Sequence, residues 1–287
     1  MNNQAKEFLQ LIQCFTKEEL HGSKEEFNDE LTAISAKIDN IINPNDKEQF
    51  RLKTDNICPI VCATQTVKYA ILGLNPHDDE VDFSIYDTWE KWANYHTQLG
   101  LENENSFKRV TEKIGKYYQV IGILIASLEN KKLIKWDEFR GSLSNKELQK
   151  KYLDMLESCP IAVGELIPFS SKKISTFTDK KIDRLFTDIP QMRQYLVKLI
   201  SIVKEKVSKD GMIICNGRGI SEAFLVICKY LGKEYKLDLE IDKRAEGYAV
   251  YKLENIKVLM LFNSVRNRGK LNSYNQIERM INVVCNI

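Results

Sequence analysis

Three short stretches of the chain collect side chains able to do chemistry. The first, Gly73-Leu74-Asn75-Pro76-His77-Asp78-Asp79, sets an amide beside an imidazole and two carboxyls. An amide orients water but is a poor base, and a neighbouring carboxylate supplies the basicity it lacks. The second stretch runs from Glu165 through Leu166, Ile167, Pro168 and Phe169 to Ser170, Ser171, Lys172 and Lys173. It joins one acid to the hydroxyls and cations that hold phosphate groups. The third begins with the amide of Asn263 and continues through Ser264 to Arg266, Arg268, Lys270 and Leu271. Each alone also has a plain reading: Asn-Pro is commonly a turn, adjacent acids commonly cap helices, and Ser-Ser-Lys-Lys is commonly a solvated surface. Their value lies in being brought together.

The elements between them would do that. Tyr69 to Gly73 reads as a short buried strand that stops at Asn75-Pro76, and Ile161 to Ile167 reads as a second that stops at Pro168. Gly211 to Cys215 is a third, ending at Asn216-Gly217-Arg218-Gly219 and opening a helix through Ala223, Leu225 and Ile227. Val258 to Phe262 is a fourth, preceded by a β-meander piece from Tyr248 to Leu253 and followed by a last amphipathic helix from about Asn275. A helix is expected from Met192 to Val207. Short apolar strands alternating with helices predict an α/β protein: a three-layer α/β/α sandwich around a short, mostly parallel, four-stranded sheet. In such sheets ligands bind beyond the carboxyl ends of the strands, where all three polar stretches begin.

Two further regions stand outside that core. Residues 1–50 carry apolar positions at helical spacing, Phe8, Leu9, Leu11 and Ile12 and then Phe27, Leu31, Ile34, Ile38 and Ile41, which predicts an N-terminal extension of two helices joined near Gly22-Ser23. The remainder, 51–287, is expected to be the α/β domain, with a Lys- and Glu-rich helical insertion at about 88–156.

Composition bounds the class. A chain of 287 residues with 43% hydrophobic and 29% charged residues, 13 glycines and 6 prolines is neither collagen-like nor disordered. No apolar run approaches the ~20 residues of a membrane span, and no signal-peptide core follows Met1, so a cytoplasmic location is expected, with no membrane partner. The seven cysteines are scattered and odd in number, which argues for buried thiols over disulfides. Cys58 and Cys62 invite a metal, yet the three histidines and the remaining cysteines supply no second ligand pair at zinc spacing, and none is expected. Net charge is only +2, so a nucleic-acid surface would be local.

With these motifs in order, the sequence resembles the uracil-DNA glycosylase superfamily, especially its mismatch-specific branch. That family opens its site with a strand followed by Gly-x-Asn-Pro, matched by Gly73-Leu74-Asn75-Pro76, and closes it with a strand followed by an Asn- or His-led loop, matched by Phe262-Asn263-Ser264. The two motifs lie roughly 190 residues apart, a spacing that the helical insertion lengthens. The sequence departs from the pattern in having His77-Asp78-Asp79 in place of the Gly after Asn-Pro, no Pro after Asn263, no uracil-reading Asn after the second strand, and no iron–sulfur cysteine set.

The resemblance implies a division of labour. Hydrolysing an N-glycosidic bond needs a placed water, a stabilised oxocarbenium-like sugar and a stabilised departing base. Asn75 takes the water-positioning role, with Asp78 or Asp79 as the supplementary carboxylate and His77 as a donor to phosphate or base. Phe83 stands where the family places the ring that stacks on a flipped base, with Tyr86 and Trp89 as rivals. The base edge is read from the segment Glu165 to Phe169, where Glu165 would accept a hydrogen bond from the exocyclic amine of a cytosine-type base. Asn263 would donate to the base carbonyl as charge develops, a contribution of the order of 3 kcal/mol for such donors. Arg266, Arg268 and Lys270, with Ser264 beside them and Leu271 as a wedge, suit entry into the minor groove. Ser170, Ser171, Lys172 and Arg218 would clamp phosphates, the last at a helix N-terminus.

The expected activity is therefore that of a monofunctional DNA glycosylase, needing no metal or other cofactor, with DNA as partner and no obligate protein partner. Uracil is the family's first substrate, and the departures favour a bulkier or hypermodified pyrimidine, including phage cytosines excised as antiviral defence. The alternative is a catalytically inactive nucleic-acid or nucleotide-binding module on the same fold. A third reading, an unrelated α/β enzyme using Gly217-Arg218-Gly219 as a phosphate turn, rests on a thinner fingerprint.

Overall fold

The computed structural model describes residues 1–62, 64–74, 76, 86–97, 116–173, 177–262 and 274–286. Its centre is a mixed seven-stranded sheet in the order β1-β3-β2-β4-β7-β6-β5. The strands are β1 (Ile60–Cys62), β2 (Val67–Gly73), β3 (Ile161–Glu165), β4 (Val207–Asn216), β5 (Leu237–Lys243), β6 (Tyr248–Leu253) and β7 (Ile256–Leu261). The four expected strands are its parallel middle, β3-β2-β4-β7. The expectation of a four-stranded sheet is corrected by antiparallel additions at both edges: β1 against β3, and the pair β6 and β5 beyond β7.

Strand alternation sorts the side chains into two layers. On one face Ala70, Leu72, Ala162, Ile213, Cys215, Val258 and Met260 pack in a core with α1 (Asn3–Ile12), α2 (Asn28–Ile42), α3 (Trp89–Thr97), α7 (Asp179–Asp188), α8 (Pro190–Lys206) and α9 (Arg218–Leu231). On the other, Tyr69, Ile71, Ile161, Val163, Met212, Ile214, Leu259 and Leu261 meet α4 (Lys116–Glu129) and α10 (Tyr274–Val284). Both faces of the middle strands are thus covered, which is why these strands read as continuous apolar runs. Two shorter helices, α5 (Trp136–Arg140) and α6 (Asn145–Ser158), form a satellite cluster around Phe139, Leu148 and Tyr152.

The helical stretch between β2 and β3 divides its helices between the faces, with α3 beside α1 and β1 and α4 on the opposite side. The N-terminal helices share the first core, where Phe8, Leu11, Ile12 and Ile38 are fully buried. Lys206, at the end of α8, is 2% exposed and reaches Glu7 of α1 at 2.6 Å, so a paired charge ties the N-terminal helix to the sheet's covering layer. Near Gly22 the chain is stitched to the segment before α3 by Lys24 N–H to Asp87 O and Trp89 N–H to Gly22 O.

No helix among the described residues is long and apolar enough to cross a membrane. All seven cysteines are free, six of them buried. Strand β4 begins earlier than its sequence implies, because Val207 pairs with Val67 and Met212 with Tyr69, leaving residues 208–211 as a bulge. Gly211 brings the chain back beside β2, where an added Cβ would lie 2.5 Å from Lys68 O and 2.9 Å from Ser208 O. Gly211→Ala is therefore expected to lower unfolding stability by about 1–3 kcal/mol, as overpacking does; urea denaturation against wild type checks this, and an unchanged midpoint would contradict it.

Candidate functional site

Parallel pairing places four strand ends on one edge. Gly73 is in register with Glu165, Leu72 with Cys215, and Asn216 with Leu261. The last residues of β3, β2, β4 and β7 thus form a row, Glu165–Gly73–Asn216–Leu261, and alternation puts all four on the face covered by α4 and α10. With strands about 4.8 Å apart, Glu165 and Asn216 flank Gly73 from roughly 10 Å apart.

Gly73 leaves a notch in that row, and the Glu165 carboxyl leans into it. A Cβ built on Gly73 would stand 2.3 Å from Glu165 Oε2 and 2.8 Å from both Cδ and Oε1. The glycine of the Gly-x-Asn-Pro motif therefore has a local reason: any side chain there would displace this carboxyl. The Glu165 backbone is held on both sides, its N–H donating to Pro59 O at 2.9 Å and its carbonyl accepting from the Tyr195 hydroxyl of α8.

Two side-chain oxygens in the row are buried with no hydrogen-bond partner among the described residues, Glu165 Oε2 and Asn216 Oδ1. Orphaned buried polar atoms are costly, and in a site they mark where a ligand's groups would go. Burial alone pushes the Glu165 carboxyl up to about 8, so it is largely neutral at pH 7. Asn216 was visible in the sequence only as the end of a strand; its orphan oxygen and its place in the row are what single it out.

The loop after β3 is sewn to the first motif. Leu166 N–H donates to Gly73 O, Ile167 N–H to Leu74 O and Ser171 N–H to Pro76 O. On its other side Cys58 N–H donates to Pro168 O, while Lys53 and Ser170 exchange backbone bonds. Gly73, Leu74 and Pro76 therefore form one unit with residues 165–171.

Within that unit, sequence-derived roles separate. Phe169 is fully buried, edge-on to Phe15 with centroids 5.3 Å apart, so its ring belongs to the core. Ser170 and Ser171 are buried as well, and the Ser171 hydroxyl donates to Lys173 O at 2.7 Å; a phosphate would meet the exposed Lys172 before either hydroxyl. Arg218 is exposed at the first turn of α9, with Nε 3.5 Å from Glu222 Oε1. The glycines around it answer to the backbone: Gly217 has φ +125°, and a Cβ on Gly219 would approach Phe177 O to 2.9 Å. Trp89 is buried against Phe27, whereas Tyr86 is half-buried and stacks near Tyr95 with centroids 4.4 Å apart.

Asn75, His77, Asp78, Asp79, Phe83, Asn263, Ser264, Arg266, Arg268, Lys270 and Leu271 lie outside the described residues. Their loops leave β2 and β7 at Gly73–Leu74 and Leu261–Phe262, at the same edge as the row. One helix opens at the edge as well. α9 follows β4 directly, and α4 and α10 run back along the sheet, with Glu129 at the far end of α4 accepting from Tyr69 OH and Cys285 donating to Leu128 O. Helix N-termini favour anions.

The Cys58–Cys62 pair does not converge. Cys58 Sγ lies 3.3 Å from His96 Nδ1, and Cys62 Sγ donates to Thr64 O. Among the described residues no group of three or more His, Cys, Asp or Glu side chains is placed to hold a metal ion. A cleft of about 590 Å³ beside α4, α5 and α6, lined by Glu129, Lys132, Glu138, Lys151 and Asp154, sits near the start of β2, away from the row.

Because folding raises the Glu165 pKa, the stability linked to its neutral form is complete below its ordinary value of 4.5 and is lost as pH rises through about 8. Glu165→Gln carries no ionisable group, so its stability relative to wild type is expected to rise between pH 5 and pH 9. Allowing for the residue's partial exposure, the rise should be about 2–3 kcal/mol. Thermal unfolding at the two pH values measures it; equal differences would show that the carboxyl is not held neutral.

No family model, curated protein or solved structure matches the chain, so its own residues carry whatever functional reading the edge supports.

Proposed function

We propose that this chain is a DNA glycosylase that flips out a modified pyrimidine and hydrolyses its N-glycosidic bond, leaving an abasic site. The observation that carries the reading is the row Glu165–Gly73–Asn216, with two buried orphan oxygens at the edge where the Asn75 and Asn263 loops leave their strands. A planar heterocycle carries donors and acceptors around its rim, and a strand edge holding an acid beside an amide offers it partners that water would otherwise have to supply. In this reading Asn75 holds the attacking water, Asn263 donates to the base as charge builds, and Tyr86 or Phe83 supplies the stacking face. Lys172, Arg218 and the N-terminus of α9 hold the backbone phosphates on either side.

The reading is tested with oligonucleotides carrying uracil, mismatched bases, 5-hydroxymethylcytosine or its glucosylated form, scored for alkali-labile breaks and released base. Wild-type protein is expected to produce abasic sites on at least one of them. Asn75→Ala should slow the reaction about 100-fold or more, as loss of one preorganised polar group does, and binding should weaken steeply with salt. Salt-sensitive binding with no abasic sites on any substrate would replace the glycosylase by a binding module.

A further inference from the structure

Of the groups at the strand edge, the Glu165 carboxyl and the Asn216 amide have a chemistry that base recognition alone does not exhaust. Resting on the glycosylase reading, we propose that Glu165 is a general acid for a cytosine-type base, protonating its ring N3 while Asn216 Oδ1 accepts from its exocyclic amine.

The pairing follows from what each atom can offer. A neutral carboxyl has one O–H donor, and an amide oxygen only accepts. The ligand edge that satisfies both together must present an acceptor next to an N–H donor. Cytosine-type bases offer that pair as N3 and N4 and uracil as O4 and N3, but only the cytosine ring nitrogen is basic enough to take the acid's proton. The notch over Gly73 places the carboxyl between the two strand ends, and a side chain at residue 73 would expel it.

The reaction balances. As the C1′–N1 bond breaks, its electron pair stays on N1 and the ring becomes more basic. The Glu165 proton passes to N3, so the base leaves as a neutral molecule. Water adds its oxygen to C1′, and the proton it releases restores the carboxyl. Cytosine is a poorer leaving group than uracil, so this proton is worth most on a cytosine-type base.

The acid's surroundings keep it protonated. Among the described residues the titratable groups whose charge a Glu165 carboxylate would oppose are Cys58, from the segment before β1, and Tyr195 of α8, both in the core on the sheet's other face; burial pushes thiol and phenol up, so neither is charged. His96 of α3 is engaged with Cys58 Sγ at 3.3 Å.

The test is steady-state and single-turnover kinetics of the full chain on otherwise identical oligonucleotides containing 5-hydroxymethylcytosine, its glucosylated form, or uracil, with wild type, Glu165→Gln and Asn216→Ala. Glutamine keeps one donor and one acceptor but transfers no proton. The expected result is excision of a cytosine-type base in preference to uracil, with kcat lowered about 100-fold or more by Glu165→Gln, the size of a general-acid effect, and KM little changed. The wild-type rate should fall about tenfold per pH unit above pH 8, and the glutamine variant should lose that dependence. Asn216→Ala should raise KM and leave the pH profile intact. Excision of uracil alone, or a glutamine variant as fast as wild type, would overturn the general acid and leave the glycosylase standing. No abasic sites with any substrate would overturn both.

Discussion

A carboxyl group taken out of water at the end of a strand is the constraint on which the rest of this edge depends. Glu165 sits in the notch that Gly73 leaves, and burial holds it largely neutral. Ionised, it would need a cation or several donors to offset its desolvation. The backbone bonds to Pro59 and Tyr195 fix its strand end, and those from Leu166, Ile167 and Ser171 fasten the following loop to residues 73–76. The position of the acid and the described residues Gly73, Leu74 and Pro76 that follow β2 are therefore set together.

The sheet makes that possible. Four parallel strands in the order β3-β2-β4-β7 bring their carboxyl ends to one edge, and the register aligns Glu165, Gly73, Asn216 and Leu261 across it. The antiparallel strands at both sides extend the sheet without contributing to the row. Two cores, one per face, bury the apolar alternation of the middle strands. The N-terminal helices belong to the first of them, joined by the Glu7–Lys206 pair, so the layer behind the edge is continuous from α1 to α9.

What the sequence disclosed and what it hid have physical causes. The middle strands were legible because a strand covered on both faces is apolar throughout, as in Tyr69–Gly73 and Val258–Leu261. Strand β1 is only three residues long and has no signal above that of a loop, whereas β5, with the sequence Leu-Asp-Leu-Glu-Ile-Asp-Lys, carries the period-two alternation of an edge strand but, being largely exposed, no apolar run like those of the middle strands. The bulge at residues 208–211 depends on pairing with β2, a non-local fact. In the site, Glu165 was legible as an acid at a strand end, but its neutrality comes from burial that no spacing records. Phe169, Ser170 and Ser171 looked like binding groups by type, yet the segment is drawn inward by the backbone bonds of Pro168 to Cys58, Ser170 to Lys53 and Ser171 to Pro76. Asn216 reads in the sequence only as an ordinary strand end before a glycine; that its oxygen is buried with no hydrogen-bond partner among the described residues is a fact of three dimensions.

The neutral carboxyl is open to direct observation. Carbon-13 NMR of protein labelled at glutamate side-chain carboxyls, with Glu165→Gln identifying the resonance, follows its titration without reference to any substrate. The account predicts a Glu165 signal still protonated at pH 7, with a midpoint near 8. A midpoint near the ordinary 4.5 would contradict it, leaving a charged acceptor at the edge and no proton to give.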